Sequence, residues 1–239
     1  MASTSTEPEL RQQLADASRV LFRLHLVDYM GHCSARIPGT EHVLIKPRHS
    51  LRVRAQDRIQ PQDMALIDLD GNHLDGPHPP PGERFIHTRI YRARSDIQAV
   101  VHTHQPMATV MGIGNAPILP VLHVGGELVE TPVPVWPCAK LVTNDALGDD
   151  LARALGEHAV VLLQGHGVAS AAATVAEAAL QAIHLEQLAE ANWRVLAMGR
   201  QPRVIPHAEL EQRASTGVGW EIRWAYYREL AGCDDLDGR

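Results

Sequence analysis

The chain has 239 residues, 45% of them hydrophobic, and a formal net charge of -6: enough to bury a sizeable core within one large domain, and ill suited to nonspecific attraction to nucleic acid. Cys33, Cys138 and Cys233 are odd in number, widely spaced and without a Cys-x-x-Cys pair, which argues against a disulfide framework or a cysteine-based zinc site and for a reducing cytoplasm. No apolar stretch is long enough to span a membrane, and the polar, acidic segment Ala2 to Glu9 carries no secretory or transit signal.

From Pro8 to Asp28, the apolar residues Leu10, Leu14, Ala17, Leu21, Leu24 and Val27 recur at steps of three and four, the pattern of an amphipathic helix. His42 to Lys46 and Met64 to Leu69 are short β-favouring runs, the second closed by the turn Asp70-Gly71-Asn72, which suits a hairpin. Asp75 to Gly82 is rich in proline and glycine and is expected to be a loop. Helix resumes from Glu83 to about Arg94. Gln98 to Thr103 is expected as a buried strand, Pro106 opens a short helix, and Val129 to Val135, interrupted by prolines, suits an edge strand. Thr143 or Asn144 caps a helix that ends near Leu155-Gly156. The apolar run Ala159 to Leu163 is long enough for a central strand and leads into the turn Gly165-His166-Gly167. Thr174 and Glu177 form a capping box for a long helix reaching Met198, and a last helix carries Trp220, Trp224 and Tyr227. Helices alternating with short strands predict a layered α/β sandwich, read as a single domain over residues 1–239 with a helical tail from about residue 205.

Histidine stands out at 14 residues. In His102-Thr103-His104, one intervening residue on a strand puts both imidazoles on one face, at the end where sites in α/β sheets gather. His166 leaves its own strand between two glycines, where the backbone can turn sharply. These are the candidate metal ligands, and neutral imidazoles suit zinc, manganese, iron or cobalt alike. Glu83, emerging from the proline-rich loop, is either a fourth ligand or an acid-base group. The cluster Lys46, Arg48, His49, Arg52 and Arg54 could serve a small anion. His87 is expected to be structural, and His123 a buried structural histidine.

Four motifs together resemble the class II aldolase and adducin family: Gly31-His32-Cys33-Ser34, Glu83-Arg84-Phe85-Ile86-His87, His102-Thr103-His104 and Gly165-His166-Gly167. The resemblance spans roughly Leu10 to Met198. It implies a three-layer α/β/α sandwich around a largely antiparallel or mixed sheet, a homotetramer with sites near subunit boundaries, and a divalent metal on the three histidines. Members acting on sugar phosphates cradle phosphate with Gly-Asn, Ser/Thr-Gly and Ser-Ser pairs. Here Gly31-His32, Pro47-Arg48-His49 and Pro81-Gly82 stand in those regions. Planar charged donors suit a carboxylate on a flat ring better than a flexible sugar phosphate.

Glu83 to His87 followed by Ile90-Tyr91-Arg92-Ala93-Arg94 resembles the decarboxylase branch, which acts on hydroxylated aromatic or pyridine carboxylates. The expected activity is therefore a metal-dependent carbon–carbon lyase, with Glu83 and His32 moving the proton and Arg48, His49 and Ser34 meeting a small anionic substrate. The rivals are a class II aldolase or sugar-phosphate epimerase and a noncatalytic adducin-like binding domain.

Overall fold

The computed structural model describes residues 5–216 and 218–233. Helix α1 (Glu7–Arg23) begins at Thr6, whose amide and hydroxyl both donate to the Glu9 carboxylate, and it buries Leu10, Leu14, Ala17 and Leu21. It stops short of Asp28. The Leu26 amide donates to the Leu21 carbonyl at 2.9 Å and the His25 amide to Phe22 at 3.0 Å, with His25 at φ 59°. This is a Schellman stop in which histidine takes the usual glycine's place. The apolar spacing runs past it because Val27 still packs into the same core.

Strands β1 (His32–Arg36), β2 (His42–Ile45), β3 (Ala65–Asp68) and β4 (His73–Asp75) form an antiparallel meander. Helix α2 (Arg84–Ala93) leads to β5 (Ala99–Thr103), which pairs with β1. Then come α3 (Pro106–Ile113), β6 (Val135–Trp136), α4 (Asp145–Leu155), β7 (Val160–Leu163), β8 (Gly167–Ala172), α5 (Val175–Ala197), α6 (His207–Thr216) and α7 (Trp220–Leu230). The strands make one sheet in the order β4-β3-β2-β1-β5-β8-β7-β6, parallel only between β6 and β7. Helices α1 and α5 cover the face bearing Cys33, Ala35, Leu44 and Val101. Helices α2 and α4 cover the face bearing Val43, Ile45, Val100 and Val161. The expected α/β/α sandwich with a mixed, largely antiparallel sheet is what the chain forms.

Three details differ from the sequence expectation. The edge strand Val129 to Val135 shrinks to Val135–Trp136, preceded by a 3-10 turn at Gly126–Val129; Pro132 and Pro134 have no amide proton to give to a ladder. The run read as a central strand, β7, is interior but one strand in from that edge. Strands β1 and β8 carry polar or small residues, without the branched and aromatic enrichment that marks most strands. Of the C-terminal aromatics, Trp224 enters the core, while Trp220 and Tyr226 stay exposed. Among the described residues, no helix is long and apolar enough to cross a membrane.

Candidate metal centre

Strand β5 sits between β1 and β8, so His102 faces His32 on one side and Ala169 on the other. Strand alternation puts His32, Ser34, Val100 and His102 on the face covered by α2. Just beyond the strand, the His104 amide donates to the Leu26 carbonyl at 3.0 Å. Thr103 Oγ1 donates to Gln105 Oε1, and Gln105 Nε2 donates to the Ala182 carbonyl of α5. The first turn of α3 is held in the same way, with the Met107 and Ala108 amides donating to the Glu186 carboxylate at 2.8 and 2.9 Å. The segment bearing both histidines is thus fastened on either side.

His166 lies in the turn from β7 to β8, reached through Gly165 at φ 65°. A Cβ on Gly167 would sit 2.1 Å from the Thr103 carbonyl oxygen. Only glycine lets β8 start this close to the end of β5, and that approach brings His166 to the His102-His104 pair.

The three imidazole rings are mutually 4.9 Å apart between centroids. With Glu83, each offers one ligand atom, and these atoms all lie within 4.8 Å of one another. His102 Nδ1 donates to the Val168 carbonyl at 2.9 Å, which leaves the Nε2 lone pair free. That Nε2 lies 3.0 Å from His104 Nε2. Two imidazoles on one tetrahedral zinc place their nitrogens about 3.3 Å apart, so the pair is close to a ligating geometry. Neither ring nitrogen of His166 has a hydrogen-bond partner among the described residues, although both are buried. Burial, then the neighbouring histidines His104 and His166, push His102 well below the ordinary histidine range; burial and His166 lower His104. Both are held in the neutral form a metal needs.

Glu83 stands at the N-cap of α2, its Oε1 accepting from the Val142 amide at 2.9 Å. Partial burial by itself raises this carboxyl, but His166 and the Val142 amide outweigh it and the net shift is downward. Its Oε2 is 3.5 Å from His166 Nε2, a separation at which the attraction is mainly electrostatic. The carboxylate is ionised, and three nitrogens with one oxygen are a donor set that a divalent cation fits.

The remaining sequence candidates separate. His32 stands beside the centre, its ring centroid 5.1 Å from that of His102. Ser34, expected to touch substrate, is fully buried between His87 and Tyr91, at 2.7 Å from each. It faces a helix rather than an opening, as the strand's alternation requires. Arg48 and His49 are exposed. The Arg48 amide donates to the Pro79 carbonyl at 2.9 Å, tying this loop to the one that leads into Glu83, and His49 meets the Tyr29 ring edge-on at 5.9 Å.

Lys46 does not share the solvent exposure of the charges after it. It is 2% exposed, its Nζ donates to the Gly31 carbonyl at 3.2 Å, and burial pushes its pKa down to about 8. Among the described residues it has no ion-pair partner. His87 is fully buried, and His123, expected to be buried, is exposed. From the sequence, Tyr91 enters only within the Ile90-to-Arg94 motif, with no role of its own, yet it follows His87 by four residues on a helix and so shares its face.

Comparison with known proteins fits this geometry. Residues 12–193 match the family model described as class II aldolase and adducin N-terminal domain. The chain belongs to this family. It is 36% identical over 239 residues to 3,4-dihydroxyphthalate decarboxylase of Arthrobacter keyseri, covering 96% of either chain. It is 32% identical to 5-methylthioribulose-1-phosphate/5-deoxyribulose-1-phosphate aldolase of Rhodospirillum rubrum, covering 85% of this chain and 88% of that one. Among solved structures, an aldolase II superfamily protein from Pseudomonas syringae superposes with a TM-score of 0.80 at 26% identity, covering 96% of this chain and 94% of the other. The family assignment and the sandwich expected from the four motifs both stand.

Proposed function

We propose that this chain is a divalent-metal-dependent lyase that decarboxylates a hydroxylated aromatic dicarboxylate, and that 3,4-dihydroxyphthalate is the first substrate to try. The observation that carries this reading is the His102, His104, His166 and Glu83 cluster, together with a buried cation, Lys46, whose charge acts on His32 and which has no ion pair among the described residues, Asp28 acting on it only at a distance. A buried ammonium without a direct ion pair is costly, and an anionic substrate would offset that cost. The decarboxylase of Arthrobacter keyseri supports the substrate class, being similar over nearly the whole chain.

A divalent cation held by the three imidazoles, with Glu83 as fourth ligand or as neighbouring base, would act as a Lewis acid toward substrate oxygens and stabilise the charge left when carbon dioxide departs. The protein's own groups do the rest. Glu83, ionised and steered by the Val142 amide, takes the proton of a substrate hydroxyl. The ring–carboxylate bond then breaks, its electron pair stays on the ring carbon, and Glu83 returns the proton to that carbon. Lys46, with the exposed Arg48 and His49, would draw the anionic substrate in. The sequence resemblance further suggests a homotetramer, testable by light scattering on the eluting protein.

The aldolase of Rhodospirillum rubrum favours a second reading, aldol cleavage of a sugar phosphate on the same centre. Incubation of the zinc- or manganese-loaded protein with 3,4-dihydroxyphthalate, and separately with 5-deoxyribulose 1-phosphate, decides between them. Carbon dioxide released from the first and no aldehyde from the second supports the decarboxylase. The reverse pattern refutes it, and a chain without stoichiometric metal would point to a binding domain instead.

A further inference from the structure

Beneath the candidate centre runs a chain of polar groups that neither metal binding nor proton transfer at Glu83 uses. His32 Nδ1 lies 2.6 Å from His87 Nε2, His87 Nδ1 lies 2.7 Å from Ser34 Oγ, and Ser34 Oγ lies 2.7 Å from the Tyr91 hydroxyl. His87 and Ser34 are fully buried, Tyr91 is 2% exposed and His32 9%. In such a place each donor needs an acceptor, and each neutral imidazole carries one N–H and one lone pair. The direction of the whole chain therefore depends on its closed end.

That end is Tyr91. Burial pushes its phenol above the ordinary tyrosine range, so it keeps its proton. Among the described residues, the one acceptor for that proton is Ser34 Oγ. Ser34 must then turn its own hydrogen to His87 Nδ1. Burial takes His87 down to about 3 against the opposing pulls of Glu83 and the Val100 carbonyl, so the ring is neutral and its proton sits on Nε2. That N–H donates to His32 Nδ1. The opposite direction would leave one hydrogen buried with no acceptor among the described residues, that of the phenol if Ser34 donates to Tyr91 or that of Ser34 itself if it accepts from both neighbours, a loss on the order of 1–3 kcal/mol.

We propose that Tyr91, acting through Ser34 and His87, fixes His32 as the Nε2–H tautomer, which makes His32 a hydrogen-bond donor to an anionic oxygen of the substrate and not a proton acceptor. Of the His32 ring nitrogens, Nδ1 is the one engaged in a hydrogen bond among the described residues, and the ring lies against that of His102. Tyr91, Ser34 and His87 are positioning residues, because they act through His32. The proposal builds on the decarboxylase reading only in naming the ligand as an aromatic carboxylate or phenolate oxygen. The tautomer itself follows from the hydrogen-bond chain.

Neutron diffraction from deuterated crystals of the full chain, with zinc added, reads the proton positions directly. The expected map places deuterium on Nε2 of both His32 and His87, on Ser34 Oγ toward His87 and on the Tyr91 oxygen toward Ser34. Deuterium on Nδ1 of His32 overturns the proposal. This result holds whichever substrate the enzyme takes, so a failed carbon dioxide assay and a failed tautomer assignment are separate outcomes. Ser34→Ala removes the hydroxyl through which Tyr91 reaches His87, whereas Tyr91→Phe would leave Ser34 still donating to His87. Ser34→Ala is expected to split deuterium between the two His32 nitrogens and to raise KM for the anionic substrate by about tenfold, the scale of one hydrogen bond to a charged group, while kcat changes much less. A Ser34→Ala protein that keeps a single Nε2 deuteron on His32 and its normal KM would show that the chain does not set the tautomer.

Discussion

Replacing Gly167 by alanine should damage the candidate centre without touching any of its ligands. The added methyl would lie 2.1 Å from the Thr103 carbonyl oxygen and 3.1 Å from its carbonyl carbon, where a carbon–oxygen contact prefers about 3.3 Å or more. Strands β5 and β8 must then part by about 1 Å at that point. The neighbouring bond from His102 Nδ1 to the Val168 carbonyl, now 2.9 Å, spans the same gap and would stretch toward the limit of a useful hydrogen bond. Overpacking of this kind costs about 1–3 kcal/mol. Loss of the bond that orients a metal-ligating histidine typically weakens metal affinity by about 10- to 100-fold. Urea unfolding measures the first effect, and zinc competition with a chromogenic chelator the second. Gly165→Ala is the control: its φ is 65° but nothing stands within 4 Å of an added Cβ, so it should cost about 1 kcal/mol and bind zinc nearly normally. If Gly167→Ala binds zinc as tightly as the wild type, the close approach of β8 to β5 does not set the centre's geometry.

Glu83→Gln should retain stoichiometric zinc on the three imidazoles while carbon dioxide release falls by about 100-fold or more, the usual weight of a general acid-base group; near-normal turnover would remove Glu83 from proton transfer. Lys46→Met should stabilise the protein while weakening its hold on anionic substrate. Because the folded-state pKa of Lys46 is about 8 against an ordinary 10.5, the unfolded chain holds more protons between these values and wild-type stability rises with pH across that window. The gain on substitution, about 1–3 kcal/mol at pH 7, should therefore shrink as pH rises from 8 to 10.5, which urea titrations at several pH values would show; a pH-independent gain refutes the assignment. Glu186→Ala should cost about 2 kcal/mol in thermal or urea unfolding, because it strands two amides at the start of α3, and an unchanged midpoint would mean that water satisfies them equally well.

Much of the fold was legible because its elements obey simple periodicities. The helix α5 announced itself through Thr174, whose hydroxyl accepts from the Glu177 amide as an N-cap; in place of the full capping box, the Glu177 carboxylate accepts from the Thr174 hydroxyl. Strands β5 and β7 announced themselves through short apolar runs. What escaped was built by tertiary contact. Strand β1 reads His-Cys-Ser-Ala-Arg and looks polar, because one of its faces meets apolar α1 and the other meets the hydrogen-bonding side chains of α2. Strand β8 is made of small residues since it must lie close beneath α5 and beside Thr103.

At the centre, the spacing of His102 and His104 and the glycines flanking His166 pointed to the cluster directly. Ser34 was misplaced because no sequence pattern tells which side of an unrecognised strand faces a helix. Lys46 stood in a run of basic residues whose members share no common environment. Only Pro47 separates the buried lysine from the exposed Arg48.

The most direct test is to locate the ion itself. Crystals grown with stoichiometric zinc, measured at the zinc absorption edge, should show one strong anomalous peak about 2.0–2.1 Å from imidazole nitrogens of His102, His104 and His166, with Glu83 beside it. A peak elsewhere in the chain, or none with zinc present in excess, would contradict the metal-dependent chemistry proposed for this protein.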